Sequence, residues 1–173
     1  MALEEWADKL AIKELLERYM RYNDDGALDR LISLFDEEAV YQVSGHIVKG
    51  HDELRAFFGG AGFVDNQPLW TDDGALYNEP RSIHLNSNPI IEVDGDTATS
   101  EVDFTVLSRD AEGHTKIDLI GRYRSQHRRD ENGNWLFTMR TGVSSARKGN
   151  EYTNAEWSRA LAKLSAEDLA KLP

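Results

Sequence analysis

Residues 82–96 constrain the fold of this chain more than any other stretch. Ser82, His84 and Asn86 alternate with Ile83 and Leu85, and the run closes at Asp94-Gly95. Period-two alternation is the pattern of a strand with two unlike faces, and Asp-Gly after such a run is a strong hairpin signal. A partner strand follows at once, from Thr97 to Ser108. A looser turn over Arg109 to His114 leads into a third strand, from about Lys116 to Arg129. Asp130 to Asn134 then turns the chain into a fourth, Trp135 to Val143.

Upstream the period changes. Between Asp8 and Asn23 the residues Ile12, Leu15, Leu16, Tyr19 and Met20 recur at helical spacing, and Asn23-Asp24-Asp25-Gly26 ends the run. A shorter helix is expected over Ala27 to Phe35, a strand over Ala39 to Val43, and a third helix from His51 to Phe58, closed by Gly59-Gly60. Helices first and an antiparallel meander second predict an α+β domain: one curved antiparallel sheet packed on N-terminal helices. Residues 61–80 have little periodicity but carry Phe63, Trp70 and Tyr77, which suits a functional cover over the open end of the sheet. A helix is expected from Ala155 to Leu164, so residues 1–148 read as the domain and 149–173 as a helical extension on it or on a neighbouring subunit.

The function classes narrow from composition. A chain of 173 residues suits one core, and a net charge of −11 with dispersed basic residues argues against nucleic acid as a partner. No apolar run is long enough to span a membrane and no basic-then-apolar leader opens the chain, so a cytoplasmic location is expected. Cysteine is absent, which removes disulfides and thiolate chemistry. There is no His-x-His or helical histidine pair for a metal, no glycine-rich nucleotide fingerprint, and no Gly-x-Ser-x-Gly elbow.

What remains is acid–base chemistry. A polar strand face is ordinarily just wet, but the chain offers His84 an acid and a second donor. Tyr19 lies on the apolar side of the first helix and Asp24 lies where that helix ends, with Asp25 equally able to serve the turn. A carboxylate bonded to one imidazole nitrogen fixes the tautomer and raises the basicity of the other, while a phenol polarises a carbonyl or protonates a leaving group. Arg140 falls late in the last strand, where simple alternation sets it with Leu136 and Thr138 and against Trp135, Phe137 and Met139. An inward guanidinium needs an anion or a carbonyl and an outward one needs nothing; alternation alone does not choose. Asp103 is open in the same way, as a second pocket acid or, ahead of that, a solvent-facing residue. Asn86 shares the His84 face, and Tyr41, Phe58, Phe63, Trp70 and Tyr77 suggest a cavity for a ring-containing apolar compound.

A family resemblance rests on these same residues. Tyr19, Asp24, Leu28, Leu31 and Phe35, the stretch Asp36 to Tyr41, the helix after Gly50, the His84 strand, the Asp94-Gly95 hairpin and Trp135 to Arg140 resemble the SnoaL-like branch of the NTF2-like fold, across residues 8–145. Within it the chain is similar to the group of scytalone dehydratase, bile-acid 7α-dehydratase and hexachlorocyclohexane dehydrochlorinase. The resemblance implies a cone-shaped barrel around one deep apolar cavity, often in a homo-oligomer, a trimer ahead of a dimer. It also implies elimination on a small cyclic compound without metal or organic cofactor, by a histidine that an aspartate assists. By position the aspartate falls on Asp24, the base on His84, the pocket tyrosine on Tyr19 and the late arginine on Arg140. Two departures stand out: Asn23 occupies the place of the scytalone dehydratase tyrosine, and Tyr19 that of the dehydrochlorinase lysine. The same fold also serves isomerases, cyclases, non-catalytic binders and the small subunits of ring-hydroxylating dioxygenases, so those functions stand as alternatives.

Overall fold

The computed structural model describes residues 3–43, 46–60, 82–110 and 112–145. Helix α1 spans Leu3–Asp24, α2 Leu28–Ile32 and α3 Gly50–Gly60. The strands are β1 (Phe35–Val43), β2 (His46–Lys49), β3 (Ser82–Asp94), β4 (Thr97–Arg109), β5 (Thr115–Arg129) and β6 (Trp135–Ser145). The expected cover, with Phe63, Trp70 and Tyr77, and the extension from residue 149 lie outside the described residues.

The core begins with α1. Ile12, Leu15, Leu16, Tyr19 and Met20 are all buried, at the three- and four-residue spacing that gathers side chains on one helix face. Where this helix stops decides what Asp24 can do. Gly26 takes a φ of 65°, the Ala27 N–H bonds the Tyr22 carbonyl at 2.9 Å, and the Gly26 N–H bonds that of Asn23 at 3.3 Å. This paired closure around a left-handed glycine satisfies carbonyls that the helix would otherwise leave open. Asp24 is thereby the last helical residue, four beyond Met20 and eight beyond Leu16 on the buried stripe.

Helix α2 is shorter than its apolar spacing predicts. It ends at Ile32, and Phe35 opens β1. The sheet captures this stretch: the Phe137 N–H bonds the Leu34 carbonyl at 2.9 Å, and the Phe35 and Phe137 rings meet at 5.2 Å. The short strand β2 opens at His46.

Strands β3 to β6 pair in sequence as an antiparallel meander. The wholly antiparallel, cone-shaped barrel is overturned. The sheet is mixed, because β1 pairs in parallel with β6, and it is open, with strand order β2-β1-β6-β5-β4-β3. Closure would need β2 to meet β3, yet β2 has four residues against thirteen in β3. The outward edge of β3 is turned to α1 instead: the His84 backbone N–H donates to Asp24 Oδ2 at 2.9 Å, and Asn86 Nδ2 donates to the Leu16 carbonyl at 2.9 Å. A helix therefore completes that edge where a strand would have closed a barrel. Further along β3, Asn88 has a φ of 51°, Pro89 follows, and the register to β4 shifts between Ser87 and Ile90.

A second irregularity sets the site. His127 pairs with Phe137 and Gln126 with Met139, so Thr138 is an extra residue in β6. A one-residue bulge reverses every side chain beyond it. Arg140 thus joins Phe137 on the inner face, against α1. On the outer face Ile83, Leu85, Ile117, Ile120 and Val143 are exposed beside a ladder in which Arg122 bridges Glu101 and Asp103, and Arg124 bonds Glu101.

Candidate functional site

The inner face carries two polar centres. At the β3 edge one Asp24 carboxylate holds His84 twice, through the backbone N–H and through ring Nδ1 at 2.6 Å. With an anion as acceptor, Nδ1 carries the proton and Nε2 keeps its lone pair. Nε2 makes no hydrogen bond among the described residues. The Asp24 side chain is 9 % exposed and that of His84 17 %, so the carboxylate is sheltered while the imidazole keeps an open side. The neighbouring Asp25 has a raised pKa, chiefly from burial, and its Oδ1 is unbonded. Asn86, two residues along the same face, has a buried Oδ1 without a partner.

The second centre is Arg140, with 0 % exposure. Its guanidinium carbon lies 4.1 Å from the Tyr19 ring centroid and 3.9 Å from that of Tyr123, in the angle between two rings set at 70°. Nη1 donates to Ser125 Oγ at 3.0 Å, while Nε and Nη2 have no partner among the described residues. Two or three ring faces supply about 0.5–2 kcal/mol each. Desolvating the charge costs several kcal/mol, and each buried donor left unmade roughly 1–3 more. The rings do not offset that cost, and among the described residues no carboxylate is fully buried.

Tyr19 and Tyr41 bond through their hydroxyls at 2.9 Å, and Phe58 packs on the Tyr41 ring at 5.2 Å. Burial pushes both phenols well above the usual tyrosine range, so both are neutral. Ser100 Oγ bonds His127 Nε2 at 2.8 Å; burial first, and the Arg140 charge second, push the His127 pKa down to about 3. That imidazole is neutral too, and its Nδ1 has no partner.

Two rings connect the centres. The His84 and Phe104 centroids are 6.5 Å apart, and Phe104 stacks on Tyr123 at 4.4 Å. Glycines let these rings lie flat on the sheet. A Cβ at Gly121 would sit 2.6 Å from Phe104 ring carbons and 2.4 Å from the Val143 carbonyl oxygen; one at Gly142 would sit 2.6 Å from Tyr123 Cε1.

Of the residues that the sequence singles out, Tyr19, Asp24, Tyr41, Phe58, His84, Asn86 and Arg140 gather on the inner face. Asp103 does not: it pairs with Arg122 at 2.6 Å and with Asn88 on the outer face. Tyr123, Ser125, Ser100 and His127 were passed over as site residues, although glycines inside strands, as at 121 and 142, mark places where a ring or backbone approaches closely. Two open hollows, of about 1020 and 790 Å³, lie elsewhere, and none of Tyr19, Asp24, His84 and Arg140 lines them. No three histidine or carboxylate side chains converge as a metal site among the described residues. Nor is any described helix long and apolar enough to cross a membrane.

The SnoaL-like domain family matches residues 4–141. A protein of unknown function from Mycobacterium tuberculosis has a similar structure at a TM-score of 0.69 and 23 % identity, over 92 % of this chain and 89 % of its own. A candidate aromatic ring hydroxylase from Novosphingobium aromaticivorans is similar at 0.62 and 25 %, over 87 % and 98 %. A candidate scytalone dehydratase from the same organism is similar at 0.61 and 20 %, over 81 % and 85 %. No curated protein matches the sequence.

Proposed function

We propose that this chain, which belongs to the SnoaL-like domain family, is a cofactor-independent lyase of the dehydratase type acting on a small cyclic compound. One observation carries the reading: the Asp24 carboxylate takes both the backbone N–H and Nδ1–H of His84, and Nε2 has no partner among the described residues. A carboxylate that a helix end and a strand edge fix in place holds the imidazole in one tautomer and stabilises the imidazolium that forms.

In the proposed reaction Nε2 removes a proton beside a carbonyl, the electron pair becomes the new carbon–carbon double bond, and the hydroxyl leaves from the next carbon on the face that the imidazole occupies. The imidazolium returns its proton to the departing oxygen, so water is released and the base is restored. Arg140 holds an electron-rich oxygen of the substrate, and the Tyr19–Tyr41 hydroxyl pair is the second proton donor. Delocalisation into the carbonyl makes a metal or organic cofactor unnecessary. An isomerase would use the same base and return the proton to another carbon.

The test is turnover of cyclic β-hydroxy carbonyl compounds, followed as the conjugated product absorbs. Activity that persists undiminished in a folded His84→Ala protein would remove the reading and leave a binding protein.

Assembly is part of the proposal. The exposed outer-face residues Ile83, Leu85, Ile117, Ile120 and Val143 would be covered by further copies of the chain, whose alternating Glu101, Asp103, Arg122 and Arg124 charges complement their own kind. A trimer is the expected count, with residues 149–173 an extension of the same domain. Light scattering that reports a monomer would refute it.

A further inference from the structure

We propose that Arg140 receives a carboxylate, so that the ligand of the inner face is a flat organic acid and not a neutral ketone or alcohol. The inference rests on the reading of the inner face as a small-molecule site and adds the class of molecule.

It starts from which nitrogen is used. Ser125 takes Nη1. Nε and Nη2, both without a partner among the described residues, share the side-on edge of the guanidinium, one of its two edges where a pair of N–H groups runs parallel. That edge matches the two oxygens of a carboxylate. A carbonyl oxygen accepts at a single point and leaves the charge uncompensated. Among the described residues no acid is fully buried beside it: the buried polar side chains there are Gln42, Ser100, Ser125, His127 and Arg140. Among them Arg140 is the one cation, because the His127 imidazole is neutral. One positive charge suits a monoanion better than a phosphate dianion, and the walls, Tyr19, Tyr123 and Phe137, suit an apolar body.

The spacing limits the ligand further. From Arg140 to Tyr123 is 3.9 Å, from Tyr123 to Phe104 4.4 Å and from Phe104 to His84 6.5 Å. Two stacked rings therefore stand between guanidinium and imidazole. A ligand that reaches both presents its carboxylate and its reactive C–H at opposite ends, across a flat unsaturated body that lies on those rings. Arg140 is then an anchor, and the charge that develops at the reacting carbon belongs to the His84 end.

Titration calorimetry with trans-cinnamate, its methyl ester and its amide tests this on the whole chain. In the wild-type protein the acid should bind at least about tenfold more tightly than the ester or the amide. Arg140→Lys, which keeps the charge but loses the fork, should reduce that preference to less than about threefold, and His84→Ala should leave it intact. An ester that binds as well as the acid would overturn the proposal. So would competition by inorganic phosphate at the same concentration as cinnamate, or no saturable heat with the acid up to about 10 mM. If Arg140→Lys does not fold, the acid-to-ester ratio of the wild-type protein decides alone. The two readings fail separately: His84-dependent turnover with no acid preference sinks only the carboxylate, and acid preference without turnover sinks only the lyase.

Discussion

The two polar centres of the inner face differ in what completes them. Asp24 and His84 satisfy each other: both carboxylate oxygens are used, and the one position left over is the lone pair at Nε2. Arg140 is buried more deeply and satisfied less, with one hydroxyl, ring faces and two idle donors. Burial alone therefore does not distinguish a finished part of the protein from an unfinished one; the accounting of donors and acceptors does. The pair at the sheet edge is ready for a proton. The cation in the interior lacks a counter-charge that a ligand would bring.

Removing the imidazole should produce the largest effect on that contrast. His84→Ala is expected to lower kcat by roughly two to four orders of magnitude, with the cinnamate affinity changed by less than about threefold. Steady-state kinetics beside calorimetry on the same sample measure both. A parallel fall in affinity would mean that the two centres are one.

Filling a ring seat should come next. Gly121→Ala places a methyl 2.4 Å from the Val143 carbonyl oxygen and 2.6 Å from Phe104, and overpacking of this kind costs about 1–3 kcal/mol. Urea unfolding measures that cost. Binding should suffer beyond the loss of stability, because Phe104 tilts away from Tyr123; a variant of unchanged stability would show that the ring seat is loose.

Third is the pH dependence of the interior. Burial first, and the Arg140 charge second, push the His127 pKa down to about 3 from its ordinary 6.5. Between those values the unfolded chain holds a proton that the folded one does not. The stability from this group is therefore fully present above about pH 6.5, falls as pH drops, and stops falling below about 3. The slope is about 1.4 kcal/mol per pH unit, or roughly 2 kcal/mol between pH 6.5 and 5. His127→Gln should flatten that part of the curve, measured as the difference from wild type. Equal slopes would place a charged imidazole next to Arg140, against the structure.

The smallest effect belongs to the solvent side of α1, the helix that carries Tyr19 and Asp24. Lys13 pairs with Glu17 at 2.8 Å with both side chains half exposed. Lys13→Ala should change stability by less than about 0.5 kcal/mol and kcat not measurably. A larger change would mean that the helix transmits surface charge to the site.

The same contrast explains what the sequence could and could not disclose. Period-two alternation from Ser82 to Asn86 and the stop at Gly26 are local patterns, and they were enough to put Ser82, His84 and Asn86 on one strand face and Asp24 at a helix end. The inward turn of Arg140 was hidden because it depends on Thr138, an extra residue that only the pairing with β5 reveals. The parallel pairing of β1 with β6 was hidden for a similar reason: neither strand carries a mark of its partner, about a hundred residues away. Asp103 and Arg122 show the converse. Strand residues that alternate correctly still face either way until neighbours are known, and cross-strand ion pairing took them outward. Tyr123 and Ser125 were legible as strand residues, yet their company with Arg140 arises from sheet register alone.

An open sheet has a cost that a closed barrel avoids: among the described residues β3 has a partner strand on one side alone, and a strand edge without one is a template for a stranger's strand. Three devices lie along it within six residues. The Asp24 carboxylate occupies the N–H of His84, Asn88 swings the backbone out of line, and Pro89 has no N–H to offer. The residue that orients the imidazole is thus also a guard against edge-to-edge aggregation. Asp24 therefore does two unrelated things: it orients the imidazole in the proposed reading, and it occupies an edge N–H in any reading. A substitution there that spared the chemistry would still have to keep newly made chains from zipping together.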